Sequence, residues 1–385
     1  MEGLEPGRAV LSLHPELLDK IRDQVAGRSV VLTGHTGFKG SWLAAWLAHL
    51  GARVIGISLA PDQGQDNIYE QARIDQLCVA SHIQDIRDAA KMREIFAAAQ
   101  PEFVFHLAAQ PLVRRAYREP LLTFETNVMG TANILEAARI TPSVKAVVCV
   151  TTDKVYTNNE WCWPYRETDH LGGIDPYSAS KSAAEMVARA YMETLRPTDR
   201  AYELATARGG NVIGGGDWSE DRIVPDIIRS IRAGQPLVLR NPAATRPWQH
   251  VLELCWGYLV LASRLTSGRD DTSAASAGFR GAWNFGPDPT HEIRVDKLVE
   301  SILAAWGADL PVSVESSNLH ESHFLRLDSS KARAELGWAP LLRPQDTFGW
   351  TADWYRSYIT RAATARELID RQIVAYEDLM RGRIN

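Results

Sequence analysis

Between residues 29 and 40 the chain reads SVVLTGHTGFKG: a β-branched stretch, Ser29 to Thr33, opens into three glycines, Gly34, Gly37 and Gly40. An apolar-rich helix follows, Ser41 to Leu50. A chain that leaves a strand, turns at once and starts a helix close to the sheet needs residues without a Cβ at the turn. The same absence of Cβ lets the backbone approach a pyrophosphate, and the helix N-terminus then faces its negative charge. An isolated glycine pattern also suits a purely structural turn. Here the strand before it and the helix after it are what the phosphate-binding reading requires.

The alternation continues downstream. A strand at Arg53 to Leu59 is followed by a helix at Ala89 to Ala99 and a strand at Phe103 to Leu107. A helix at Val128 to Arg139 leads to a strand at Lys145 to Thr151, and a helix at Tyr177 to Leu195 to a strand at Tyr202 to Ala207. Strands alternating with helices of this length are βαβ units, whose sheet is parallel. After Ala207 the pattern changes. Gly209 to Gly216 is loop-like, Ile223 to Ala233 and Val295 to Trp306 are helical, and Ser267 to Gly281 reads as a surface loop. Trp283 to Gly286 is a short strand, and Thr347 to Tyr358 an aromatic-rich segment that packs on the body. The expected fold is α/β: a Rossmann-type doubly wound parallel sheet over residues 28–207, also receiving part of 242–285, with a smaller C-terminal substrate-binding lobe mainly over 208–358. Residues 1–27 read as an N-terminal extension and 359–385 as a C-terminal tail.

A length of 385 residues suffices for both lobes. The net charge of -5 lacks the basic excess of a nucleic-acid or anionic-membrane binder, so neither partner is expected. A few local arginines still suffice for an anionic small molecule. No window is apolar enough to span a bilayer, and the N-terminus reads as free of a secretory leader. Cys78, Cys149, Cys162 and Cys255 form no CxxC pair, so no metal site is expected. A reducing cytoplasm fits these features.

The loop residues expected against a dinucleotide are Gly34, Thr36, Gly37, Phe38, Lys39 and Gly40, spaced G-x-x-G-x-x-G as in short-chain dehydrogenases. Leu107, Ala108 and Ala109 follow the fourth strand, where small residues let the backbone approach the cofactor. The acid that holds the ribose normally ends the second strand; here Asp62 comes late, after Ala60 and Pro61. Asp85, with Ile86 just before the helix Ala89 to Ala99, is better placed to meet the adenine, and equally suits an acid at a helix start.

Tyr177 and Lys181 stand four residues apart at the start of a helix, so both side chains share one face. A phenol with a pKa near 10 is a poor base at neutral pH, but a nearby ammonium favours its phenolate. Thr152 lies just past the fifth strand, where its hydroxyl can meet the same alcohol oxygen. Asp153 and Lys154 beside it supply what simple dehydrogenases do not need: a second acid/base pair, suited to elimination of water beside a ketone. A surface ion pair is the plain alternative. As the base, Lys154 must be neutral, which burial and the Lys181 charge would favour. Asp153 works against this as a carboxylate and ceases to do so if it carries the proton that the leaving hydroxyl needs.

Eight segments, TGHTGFKGSW, HLAAQPLVRRAY, TNVMGT, TTDKVY, DPYSASK, RGGNVIGGGDW, RPWQHVLE and WNFGP, together make the chain resemble extended short-chain dehydrogenases that act on sugar nucleotides. The likeness covers about residues 28 to 350. The Asp-Lys pair, where other nucleotide-sugar dehydratases carry Asp-Glu, resembles the CDP-glucose 4,6-dehydratase branch, although Val155 stands where that branch would have Cys. The resemblance implies NAD as cofactor and conversion of CDP-D-glucose to CDP-4-keto-6-deoxy-D-glucose. Tyr177 would take the proton of the 4-hydroxyl as hydride leaves carbon 4; water would leave across carbons 5 and 6; hydride would return to carbon 6. It further implies Asn127 orienting Lys181 through a water, with a helix cap as the alternative. It places a substrate-binding set at Gln110, Arg208, Asn211, Asp217, Trp218, Arg222, Arg240, Arg246 and His250. Trp248 suits either base stacking or the core. The resemblance also implies a homodimer, or a tetramer, built on the helices Val128 to Arg139 and Tyr177 to Leu195.

Three alternatives remain open on sequence. A nucleotide-sugar 4-epimerase shares Tyr177 and Lys181 but needs no Asp-Lys pair. The same dehydration on a dTDP, UDP or GDP sugar leaves the chemistry unchanged. A non-catalytic NAD-binding regulator would be expected to have lost Tyr177 or Lys181, and both are present.

Overall fold

Alternation of side chains along each strand decides the layering. In the strand Ser29–Thr33 (β1), Val30 and Leu32 point into one apolar layer and Val31 into the other. A strand buried on both faces reads as a continuous apolar run, and its sheet must be covered on both sides. The computed structural model, which describes residues 14–197, 202–267, 278–288, 293–315 and 325–383, shows that arrangement. The strands Arg53–Ser58 (β2), Ala80–Ile83 (β3), Phe103–His106 (β4), Ala146–Val150 (β5), Glu203–Arg208 (β6) and Gly281–Asn284 (β7) join β1 in a seven-stranded parallel sheet of order β7-β6-β5-β4-β1-β2-β3. The order reverses between β1 and β4, which opens a crevice beyond their carboxyl ends.

One face is covered by helices Ala89–Ala99, Thr131–Ile140 and Pro176–Glu193; the other by Phe38–His49 and Val251–Ser267. Three of these carry the argument below: Phe38–His49 (α1), Pro176–Glu193 (α2) and Val251–Ser267 (α3). The smaller lobe is assembled from short pairings, Leu237–Leu239 with Val312–Val314 and Thr245–Arg246 with Ile293–Arg294.

The extension and the tail do more than their sequence suggests. Residues 14–25 and 365–380 form helices that bury Leu17, Leu18, Ile21, Ile369, Ile373 and Tyr376 in the main core. The expected helix Val128 to Arg139 is helical throughout: a π-helical turn, Glu125–Gly130, runs into the α-helix Thr131–Ile140. Most of the loop expected at Ser267 to Gly281 lies outside the described residues. Among the described residues no helix is long and apolar enough to cross a membrane.

Within α3, Glu253 is buried and accepts hydrogen bonds from the Leu341 and Leu342 amides, at 2.8 and 2.6 Å, and from the Tyr376 hydroxyl at 2.7 Å. Burial pushes its carboxyl up to about 7 despite these bonds. Its folded value lies above its unfolded value, so the stability it contributes is complete below the unfolded pKa and is lost as pH rises through the folded one. Glu253→Gln keeps an acceptor for both amides, and its amide nitrogen donates to the Tyr376 oxygen once that hydroxyl turns away. The variant is expected to be more stable than the parent at pH 8, by about 3 kcal/mol, and equal to it near pH 4 to 5. Thermal unfolding of both proteins across that range checks this.

Candidate active site

At the end of β1 the chain turns as the glycines require. Gly34 adopts φ +78°, and a Cβ there would lie 2.8 Å from the Ala108 nitrogen. At Gly40 a Cβ would lie 1.9 Å from the Gly34 carbonyl oxygen, so α1 can start this close only with glycine. Gly37 is the N-cap of α1 and offers no side-chain cap, which leaves the first amides of the helix free to face an anion. The loop is braced from outside: the Thr36 hydroxyl donates to the Leu59 carbonyl at 2.9 Å, and Thr33 meets the buried His106 at 2.7 Å. This cradle fits a dinucleotide pyrophosphate. Leu107 and Ala108 direct their amides to the Thr33 hydroxyl, and with Ala109 they lie half-buried beside it.

The acids expected around the adenosine part differ. Asp62 is exposed beyond β2, 3.9 Å from Arg115. Asp85 is bound by the Arg87 guanidinium and by the Arg87 amide, and the guanidinium holds its carboxyl below its ordinary value. Ile86 turns its side chain into the core, against Gly130.

Tyr177 and Lys181 stand on the first turns of α2, whose N-cap Asp175 accepts from the Ser178 amide at 3.0 Å. Both side chains are buried. Burial pushes the Tyr177 phenol up to about 12, opposed by its hydrogen bond with Thr152 and by the Arg222 charge. The Lys181 ammonium is pushed down by burial and donates to the Val150 carbonyl at 3.3 Å. The Thr152 hydroxyl lines the cleft with Tyr177 and donates to Asp153 at 2.9 Å. Asp153 is buried and accepts from the Asn211 amide at 3.4 Å, with Asn211 in the left-handed region at φ +50°. A Cβ on Gly210 would lie 2.0 Å from the Asp153 carboxylate, which accounts for that glycine. Lys154, expected to be buried, is exposed on the cleft wall.

Of these side chains all but Lys181, which lies buried behind Tyr177, line a cleft of about 540 Å³ between the sheet edge and the smaller lobe, ample for a small organic ligand. Lys39 is half-buried and faces the same cleft, and burial, then the Lys181 and Arg222 charges, push its ammonium down to about 8. Of the expected substrate set, Asn211, Asp217, Arg222, Arg240 and Arg246 line the cleft. Arg222 pairs with Asp217 at 3.0 Å and Arg240 with Asp221 at 2.9 Å.

Four expected substrate residues face elsewhere. Arg208, the last residue of β6, is buried against Glu185. His250 is enclosed by Trp42 and Trp350, and burial pushes its imidazole down to about 3. Trp218 packs on Tyr355 and donates to Gln71. Gln110 spends its side chain on Leu112 and Thr123. Asn127 is not a helix cap: it bonds both backbone groups of Gln110 and donates to the Ser180 hydroxyl at 2.9 Å, next to Lys181.

The model of the GDP-mannose 4,6 dehydratase family matches residues 31–348. The chain belongs to that family. It is 46% identical over 341 residues to a CDP-glucose 4,6-dehydratase of Salmonella typhimurium, with 86% of this chain and 92% of that protein covered. It is 26% identical to a dTDP-glucose 4,6-dehydratase of Xanthomonas campestris, over 84% of this chain and 92% of that protein. Its fold matches DesIV, a dTDP-glucose 4,6-dehydratase of Streptomyces venezuelae solved with NAD and TYD bound, at TM-score 0.71 and 26% identity, covering 86% of this chain and 98% of that one. A UDP-glucose 4-epimerase of Thermotoga maritima has the same fold at TM-score 0.72 and 22% identity, covering 86% of this chain and 99% of that one.

Sequence reasoning about this family member missed Arg114, Asp221 and Glu185. Arg114 and Asp221 line the cleft and pair at 3.2 Å. The arginine pair in HLAAQPLVRRAY was the available signal for Arg114. For Glu185 the signal was its place one turn beyond Lys181.

Proposed function

We propose that the protein is an NAD-dependent dehydratase that converts CDP-D-glucose to CDP-4-keto-6-deoxy-D-glucose. One observation carries the reading: Tyr177, Asp153 and Lys154 line one cleft together with Thr152, whose hydroxyl bonds Asp153, and Lys181 is buried one turn behind Tyr177. The 46% identity to a protein named CDP-glucose 4,6-dehydratase favours the cytidine nucleotide. The glycine cradle fits NAD, and DesIV is solved with it bound.

Bound NAD supplies a reversible hydride acceptor and donor. In this reading Tyr177 takes the proton from the sugar's 4-hydroxyl, while Thr152 bonds the same oxygen and Lys181 favours the phenolate. Once carbon 4 is a ketone, the proton on carbon 5 is acidified. Lys154, exposed in the free chain and covered once the sugar occupies the cleft, removes it as the neutral amine, and Asp153, carrying a proton, gives it to the hydroxyl leaving carbon 6. Hydride return to carbon 6 and a proton to carbon 5 complete a cycle whose net change is loss of one water. Arg222, Arg240 and Arg246 offer the forked donors that suit a diphosphate. A 4-epimerase would use Tyr177 and Lys181 alone, and would leave Asp153 and Lys154 without a task. Incubation with CDP-, dTDP-, UDP- and GDP-glucose tests the reading. A 4-keto-6-deoxy product is expected, fastest from the CDP sugar; a carbon-4 epimer with no loss of water would overturn it.

We place the protein in the cytoplasm, in keeping with four cysteines that are all unpaired. Its assembly is proposed to be a homodimer. Leu121, Met129 and Met186 are 76%, 56% and 60% exposed on abutting helical segments, and Ile140 and Leu195 are further exposed apolar side chains. Solution scattering at micromolar concentration is expected to give twice the 42.8 kDa chain mass. Met186→Glu should shift it toward the monomer; a monomeric parent would contradict the dimer.

A further inference from the structure

Behind the cleft, Glu185 ties together the three elements that carry the site. It is buried on α2, one turn beyond Lys181. Its carboxylate accepts from Thr151 at the end of β5 at 2.5 Å, from Thr206 on β6 at 2.8 Å, and from the Arg208 guanidinium twice, each at 2.9 Å. Arg208 in turn donates to the Tyr156 hydroxyl at 2.7 Å, and Tyr156 donates to Asn284 on β7 at 2.8 Å. Thr151 precedes Thr152, Asp153 and Lys154; Arg208 precedes Gly209 and Gly210, against which Asp153 rests. A fully bonded buried network of this kind fixes geometry, and loss of one member is costly.

We infer that Glu185, held by Arg208, is a positioning residue for the reaction: from one turn along from Lys181, it sets the helix bearing Tyr177 and Lys181 against the loop bearing Thr152, Asp153 and Lys154. The inference rests on the dehydratase reading. Lys181 is faced by His106 from β4, Cys149 from β5, Lys39 from α1, and Tyr177 and Glu185 from its own helix. Burial pushes the His106 imidazole down to about 3 and the Cys149 thiol up to about 12, so both are neutral, and Lys39 is a like charge. Burial also acts to raise the Glu185 carboxyl, but Arg208 and the two threonine hydroxyls hold it below its ordinary value. Among these groups Glu185 is therefore the anion that stabilises the Lys181 ammonium.

The test uses the holoenzyme and whichever nucleotide glucose the parent turns over, so failure of the parent on CDP-glucose stays separate from failure of this inference. Glu185→Gln is expected to lower kcat on the order of 10²-fold, as a small misalignment of reacting groups does. KM should stay within about twofold, because the cleft wall is untouched. The alkaline limb of the kcat–pH profile should move about one unit toward lower pH, since Lys181 loses its counter-charge. Should Glu185→Gln not fold, the double variant Glu185→Gln with Arg208→Met removes both charges, and Thr151→Val removes only the bond nearest the site. A low kcat with near-parental KM in whichever of these folds supports the inference. A parental kcat and an unmoved alkaline limb would make the pair an ordinary structural bond and overturn it.

Discussion

Tyr177→Phe is expected to lower kcat by about 10²–10⁴-fold, the range typical of a general acid/base group. The variant should fold normally. The ring stays in its buried site, and the Thr152 hydroxyl keeps its bond to Asp153 at 2.9 Å. What disappears is the Tyr177 oxygen that faces the cleft, the one assigned to the 4-hydroxyl proton. In the free chain burial pushes the phenol up to about 12, so its phenolate must form against a substrate and cofactor already in place. The loss should therefore fall on oxidation itself. Quenched reactions analysed by mass spectrometry should contain unreacted sugar and no 4-keto-hexose. Parental turnover by Tyr177→Phe would remove Tyr177 from the chemistry.

Lys154→Ala is expected to stop the reaction one step later. Lys154 is exposed, so its removal should change stability by no more than about 0.5 kcal/mol. Oxidation at carbon 4 needs Tyr177 and Lys181 and should survive. Proton removal from carbon 5 should slow by about 10²–10⁴-fold. A 4-keto-hexose of unchanged oxygen count should then accumulate during one turnover, without deuterium at carbon 5 in heavy water. Asp153→Asn separates the two halves of the elimination: it should also stall as the 4-keto-hexose, but with carbon 5 exchanging. Dehydration at the parental rate by Lys154→Ala would make the lysine a solvent-facing charge and the base assignment wrong. Absence of any 4-keto sugar would mean that Lys154 serves oxidation or sugar placement instead.

The parts of the site that the sequence made legible are those whose spacing dictates geometry. Gly34, Gly37 and Gly40 must lie where a strand becomes a helix, and Tyr177 and Lys181 must share a helix face. Residues at a strand end or in an irregular segment carry no such constraint. Arg208 is next to the cleft in sequence, but as the last residue of β6 its side chain falls on the α2 side of the sheet, and the cleft is reached only at Gly209. His250 and Trp218 lie in motif segments for the same reason that core residues do: the backbone there must pass close to the site. The helix α3 escaped notice because it is buried on nearly every side, so its apolar residues form no stripe with a helical period. The terminal helices were read as an extension and a tail because their partners, such as Trp46 and Trp256, lie far away in sequence. Nothing local marks Glu253 and Glu185 as buried, since the donors to each carboxylate come from two segments distant in sequence.

The central claim is that oxidation, loss of water and reduction occur within one cleft, with the hydrogen from carbon 4 returned to carbon 6 of the same sugar. CDP-glucose bearing deuterium at carbon 4, turned over in ordinary water, tests it in a single product analysis. The account predicts a 4-keto-6-deoxy sugar that has lost one water, carries the deuterium on carbon 6 and has a solvent proton at carbon 5. A product that keeps all its oxygen and carries the deuterium at an inverted carbon 4 would contradict it, as would a 4-keto product from which the label has been lost.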